Sequence, residues 1–169
     1  MTQIIVMGVS GAGKTTLAVA LAARLGWPFQ EGDALHPQAN VEKMRAGVAL
    51  NDADRMPWLV AIRAWMDANR AAGLSGVVSC SALKRCYREL LVGDASDVRF
   101  VFLAGDRELL AARLARRVGH YMPAALLDSQ LATLEPPSVN EALIIDAALP
   151  TDMQALEVLT ALHLEKVGR

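Results

Sequence analysis

Ile4-Ile5-Val6-Met7-Gly8-Val9-Ser10-Gly11-Ala12-Gly13-Lys14-Thr15 is the stretch on which the fold turns. Four apolar residues run into G-x-x-x-x-G-K-T, and Thr16 to Leu25 continues as a helix-forming segment, so strand, spacing, lysine and threonine come in the order of a phosphate-binding loop. Its glycines let consecutive backbone N–H groups turn inward around a polyphosphate, which makes Gly11, Ala12, Gly13, Lys14, Thr15 and Thr16 the nucleotide-binding candidates. Lys14 brings a mobile charge to the β- and γ-phosphates, and the Thr15 hydroxyl is placed to hold Mg²⁺. A glycine-rich turn capping a helix would be the plainer reading, but it requires neither the lysine nor the threonine. The chain is therefore expected to bind a nucleoside triphosphate.

The rest of the chain sets bounds on what happens to the phosphate. With 169 residues, 53% hydrophobic and 21% charged, it has the length for one well-buried core, and one domain over 1–169 is expected. The formal charge of −1 supplies no field for nucleic acid or an anionic membrane, which leaves small molecules as the expected partners. Cys80 and Cys86 are too few for a disulfide framework, three scattered histidines make no metal spacing, and no run reaches the ~18 apolar residues of a membrane span. A reducing cytoplasm fits these features.

Strand and helix signals alternate. After the phosphate loop come a short piece at Trp27-Pro28-Phe29, turn residues from Glu31 to Pro37, and a helix over Gln38 to Ala46. A second helix is expected from Asp54 as N-cap, with Pro57 in its first turn, to Gly73. Gly76 to Cys80 and Arg99 to Leu103 read as strands buried on both faces and Ala142 to Asp146 as a fifth strand; Leu83 to Leu91, Asp106 to Arg117, a stretch ending near Leu134 and Asp152 to Lys166 read as helices. Such alternation demands a parallel sheet with helices on both faces and right-handed crossovers.

In that architecture chemistry gathers at the carboxyl ends of the strands. Glu31 to His36, Ser81 to Arg88 and Arg113 to His120 fall there. Each has a plainer alternative. Asp33 and His36 could fix a turn, Asp52 and Asp54 could cap the following helix, and the cations Lys84, Arg85 and Arg88, or Arg113, Arg116 and Arg117, could be solvated helix faces. Against the last reading, the chain has only four lysines, one of them in the phosphate loop and another just past a strand end, and Arg113 and Arg117 lie one helical turn apart.

Gly32-Asp33-Ala34-Leu35-His36-Pro37-Gln38-Ala39-Asn40-Val41-Glu42-Lys43-Met44, Gly47 and Leu50-Asn51-Asp52-Ala53-Asp54-Arg55-Met56-Pro57-Trp58-Leu59 resemble the gluconate kinase family of small P-loop kinases. So do Cys80-Ser81-Ala82-Leu83-Lys84-Arg85-Cys86-Tyr87-Arg88, Gly119-His120, Leu127-Asp128-Ser129-Gln130 and Leu134-Glu135-Pro136. The match runs from Gly8 to about Asp146. Glu31 stands where the family usually has Asp, Ala49 where Pro is common, and Tyr121 where Phe is commoner.

The resemblance implies a three-layer P-loop NTPase fold with a five-stranded parallel sheet, like nucleoside and shikimate kinases, with an acceptor-binding helical segment near 36–60 and a mobile lid near 117–130. It implies ATP- and Mg²⁺-dependent phosphorylation of D-gluconate at its 6-hydroxyl, commonly by a homodimer. Because charge spreads over the transferring phosphoryl oxygens, positioning and electrostatics carry such a reaction, and Lys14, Asp33 and Arg117 are the catalytic candidates. Asp33 would orient or deprotonate the acceptor hydroxyl. A carboxylate with a row of hydroxyls calls for a cation and several hydrogen-bonding groups, for which Asp33, His36, Arg45, Arg55, Lys84, Arg88, His120 and Gln130 are the candidates. By likeness to related lids, Arg113 would lie against adenine and Arg117 against the phosphates, with residues 147–150 offering backbone groups to the base. The same loop could serve shikimate or a nucleoside monophosphate, whereas a GTPase switch would carry an N-K-x-D segment that the sequence lacks.

Overall fold

A computed structural model of the chain describes residues 1–117 and 124–164. Five parallel strands, β1 (Gln3–Met7), β2 (Phe29–Glu31), β3 (Gly76–Ser79), β4 (Val98–Ala104) and β5 (Ala142–Asp146), form one sheet in the order β2-β3-β1-β4-β5. The helices are α1 (Lys14–Leu25), α2 (Gln38–Arg45), α3 (Asp52–Ala71), α4 (Arg85–Val92), α5 (Arg107–Ala115), α6 (Ala124–Thr133) and α7 (Thr151–Ala161).

The central strand shows why the layers form. Side chains alternate across a strand, so Ile4 and Val6 enter one core with Leu17 and Leu21 of α1 and Val158 of α7. Ile5 and Met7 enter the opposite core with Trp58, Ile62 and Met66 of α3 and Leu91 of α4. Val77 and Val78 divide in the same way, as do Val101 and Phe102. A strand buried on both faces has no polar side to offer, which is why it reads as an unbroken apolar run.

Boundaries moved where backbone hydrogen bonding overrode composition. α3 starts two residues before the expected Asp54, because Asn51 is the N-cap: its side chain accepts from the Asp54 N–H at 2.8 Å while the Asp54 carboxylate accepts from the Asn51 N–H at 3.0 Å. Pro57 consequently lies inside the helix rather than in its first turn. It leaves the Ala53 carbonyl without a helical donor, and Ala53 is exposed, so water can serve it. Ala82 holds a left-handed backbone, φ 45°, which delays α4 to Arg85. β2 lies at Phe29–Glu31 rather than at Trp27–Phe29, since its register pairs Phe29 with Val77 and Glu31 with Ser79. That register carries Glu31 to the end of the sheet, next to the phosphate loop. α5 ends at Ala115 and α7 at Ala161, both short of the expected Arg117 and Lys166. Of the lid expected near 117–130, residues 118–123 lie outside the described residues, and so do 165–169.

Candidate active site

The phosphate loop joins β1 to α1 in a path that only glycine can follow at Gly11. Its φ is +86°, and a Cβ there would stand 2.9 Å from the Leu110 carbonyl oxygen of α5. Lys14 begins α1 and is half-buried, with its ammonium donating to the Val9 carbonyl at 3.1 Å. Burial depresses its pKa, opposed by the negative groups Asp33 and Glu31 that face it. A cation is thus held under the loop where phosphates would gather.

β2 ends on the carboxylate that the loop requires. Glu31 accepts from the Thr15 hydroxyl with one oxygen and from the Ser79 hydroxyl with the other, and the Asp33 N–H approaches it at 3.4 Å. Gly32 follows at a close crossing: a Cβ there would lie 1.9 Å from the Ser79 carbonyl oxygen. The short 3₁₀ turn Gly32–Leu35 then lifts Asp33 into the open, its side chain 73% exposed, beside Lys14. Among the described residues no group of three His, Cys, Asp or Glu side chains forms a metal cluster. Thr15 and Glu31 nonetheless offer hard oxygen donors side by side, which suits Mg²⁺ completed by phosphate oxygens and water.

On one side of Lys14 a cavity is lined by Ser10, Asp33, His36, Arg55, Trp58, Ser81 and Gln130, with Met44, Val48 and Leu50 as an apolar wall. His36 is stacked on Trp58, ring centroids 4.2 Å apart and planes at 14°. The Asn40 amide splits its two hydrogens between the Asp54 carbonyl, at 2.7 Å, and His36 Nδ1, at 3.2 Å. Nδ1 therefore accepts and Nε2 keeps the proton, 4.0 Å from an Asp33 oxygen. Burial lowers the His36 pKa, Asp33 opposes that and Arg55 adds to it, so the ring is neutral at pH 7. Trp58, which the family resemblance marks without saying what it does, fixes the whole corner by donating its indole N–H to the Gly32 carbonyl at 2.8 Å. Gln130 of α6 closes the cavity and accepts from the Ser10 N–H of the phosphate loop at 2.8 Å.

The cations expected to bind an acceptor separate sharply. Lys84 is paired with Asp52 at 2.9 Å. Arg88, 2% exposed, spends its donors on Glu141 at 2.6 and 3.3 Å and on the carbonyls of Ala82, Leu83 and Glu135, which makes it a brace between α4 and the segment before β5. Arg45 sits exposed at the end of α2 and does not line the cavity. Arg55 does line it. It is 9% exposed, touches the Tyr87 hydroxyl at 3.1 Å, and has no carboxylate within ion-pair distance among the described residues. Asp52 and Asp54 attract it only from beyond contact, so a buried cation with no paired carboxylate has its charge free to meet an anionic ligand. His120 lies outside the described residues.

On the other side of the loop Gly11, Ala12, Gly13 and Thr16 face Arg113, Arg117, Leu149 and Gln154 across a second cavity. Arg113 bridges the phosphate loop to the loop after β5, donating to the Ala12 carbonyl at 3.2 Å and the Ala147 carbonyl at 2.6 Å. Arg117 lines the same cavity. A wider groove of about 700 Å³ runs along α4 past Arg85, Glu135 and Asn140, and contains none of the phosphate loop.

A family model described as an AAA domain matches residues 4–137. The gluconokinase of Gluconobacter oxydans (strain 621H) is 58% identical over 141 residues, covering 83% of this chain and 79% of its own length. A crystal structure of a gluconokinase from Sinorhizobium meliloti 1021 superposes with a TM-score of 0.85 at 46% identity, covering 95% of this chain and 93% of that one. An unliganded sugar kinase from Janibacter sp. HTCC2649 superposes with a TM-score of 0.90 at 43% identity, covering 96% and 95%.

Proposed function

This chain belongs to the gluconokinase family of P-loop kinases, and we propose from that premise that it transfers the γ-phosphoryl group of ATP to the 6-hydroxyl of D-gluconate. The observation that carries the acceptor is Arg55. A buried guanidinium with no carboxylate in contact, in the cavity beside Lys14, matches a substrate with one carboxylate, while Asp33, neutral His36 and Gln130 supply polar contacts for hydroxyls.

The reaction follows from these positions. ATP occupies the Arg113 side, its phosphates on the loop's N–H groups and the N-terminus of α1, with Lys14 and Arg117 against the negative oxygens. Gluconate occupies the Arg55 side with its 6-hydroxyl toward Asp33. The hydroxyl oxygen forms the new bond to phosphorus, the bond to the bridging oxygen breaks with its electron pair leaving on ADP, and Asp33 takes the hydroxyl proton. Thr15 and Glu31 would hold Mg²⁺, which would neutralise phosphate charge. His120 remains a candidate acceptor contact from its sequence motif, and a homodimer in the cytoplasm completes the proposal. Among the described residues no helix is long and apolar enough to cross a membrane.

A coupled ADP-release assay across gluconate, its epimers, shikimate and nucleoside monophosphates tests the reading. Turnover should rise steeply with gluconate. A larger rise with another acceptor would reassign the substrate, and indifference to all of them would point to a nucleotide switch. Light scattering of the purified chain checks the dimer.

A further inference from the structure

We propose that Tyr87 is a positioning residue for Arg55: its hydroxyl holds the guanidinium by a hydrogen bond and at the same time keeps it off the Asp52 carboxylate, so that the charge stays available to the acceptor. This rests on the gluconate reading above.

Tyr87 is 2% exposed on α4, with two cations close to its ring, Arg55 at 5.5 Å and Lys84 at 5.7 Å from the centroid. The hydroxyl has one proton to give. A guanidinium only donates and a carboxylate only accepts, so the proton points to Asp52 and a lone pair faces Arg55, 3.1 Å away. The order Asp52, Tyr87, Arg55 is thereby fixed in direction. Hydrogen bonds from Tyr87 and then Lys84 hold the Asp52 carboxyl below its ordinary range, while burial pushes the phenol up, so the proton stays on the tyrosine. Lys84, at 2.9 Å, supplies the counter-charge for Asp52.

The consequence is a division of charge. Asp52 is satisfied by a lysine and a phenol, and Arg55 meets an oxygen that carries no full charge. Without the hydroxyl, Asp52 is the nearby anion with a lost donor and Arg55 the nearby cation with a lost acceptor, and attraction between them would draw the guanidinium from the cavity wall.

Steady-state kinetics of the full chain, with gluconate varied at saturating ATP, test this in wild type, Tyr87→Phe and the double variant Tyr87→Phe/Asp52→Asn. Phenylalanine keeps the ring and its packing. Tyr87→Phe should raise the gluconate KM roughly tenfold, the scale of one hydrogen bond to a charged group, with kcat and the KM for ATP within about twofold. The double variant, which removes the competing anion, should return the gluconate KM to within about threefold of wild type. A purely structural tyrosine predicts no such recovery, so a double variant as weak as the single one overturns the proposal, as does an unchanged KM in Tyr87→Phe. Wild-type chain that fails to phosphorylate gluconate would overturn the function and this inference together; active wild type with an unshifted Tyr87→Phe overturns this inference alone.

Discussion

Replacing Arg88 by methionine should destabilise the fold without impairing recognition of gluconate. The side chain is 2% exposed, and its guanidinium meets both oxygens of Glu141 and three carbonyls, those of Ala82, Leu83 and Glu135. Removing one partner of a buried pair costs roughly 3–5 kcal/mol, because the remaining charge is left without its neutralising neighbour. The Glu141 side chain retains 28% of its exposure, so water recovers part of the loss and the lower end, about 3 kcal/mol, applies. Methionine fills much of the volume, which adds little further cost. In a chain of 169 residues each kcal/mol moves the melting temperature by about 2–4 °C, so a fall of roughly 6–12 °C is expected. Thermal unfolding followed by circular dichroism measures it, and kinetics at a temperature well below the transition should give a gluconate KM near that of wild type. A melting temperature unchanged beside a tenfold higher KM would refute the reasoning and return Arg88 to the acceptor site.

Lys14→Ala should leave a folded protein with turnover reduced roughly 10²–10³-fold, the scale of one preorganised charge-stabilising donor; near wild-type turnover with intact circular dichroism would remove Lys14 from the chemistry. Asp33→Asn should lower turnover by about 10²–10⁴ while ATP affinity barely moves, and a collapse of nucleotide binding instead would mark Asp33 as part of the metal site. His36, whose pKa is depressed by burial, charges less readily folded than unfolded, so its contribution is complete above about pH 6.5 and is lost as pH falls through the lower folded value. Urea unfolding at pH 7.5 and 5.5 should therefore show wild type losing more stability on acidification than His36→Gln, and parallel losses would contradict the assignment. Burial pushes the Cys80 thiol up to about 12, whereas Cys86 is exposed, so an aromatic disulfide reagent should titrate one thiol in the native chain and the second only on unfolding.

The strands were legible because their signal is local. A strand buried on both faces must be apolar almost throughout, and β3, buried at every residue, lies over Gly76–Ser79, one residue short of the run its composition marks. Helix starts were less so, since Asn51 and Asp54 are both good caps and only the reciprocal hydrogen bonds of the folded backbone select Asn51. Glu31 stood out in the sequence as a departure from the family pattern, with no partner assigned. Its contact with Thr15 depends on the β2–β3 register, which a three-residue strand does not announce.

By itself the sequence determined that a phosphate-binding type of loop joins a strand to a helix, because Gly11, Gly13, Lys14 and Thr15 carry backbone geometry and charge that travel with the loop. Which of the cations is left without a carboxylate partner was decided only by the tertiary structure. Arg55, Lys84 and Arg88 look equivalent along the chain, yet Lys84 is neutralised by a carboxylate 32 positions away and Arg88 by one 53 positions away, and Arg55 faces a neutral phenol. A charge is available for binding only where folding brings no opposite charge to meet it, and that is a property of distances between remote segments.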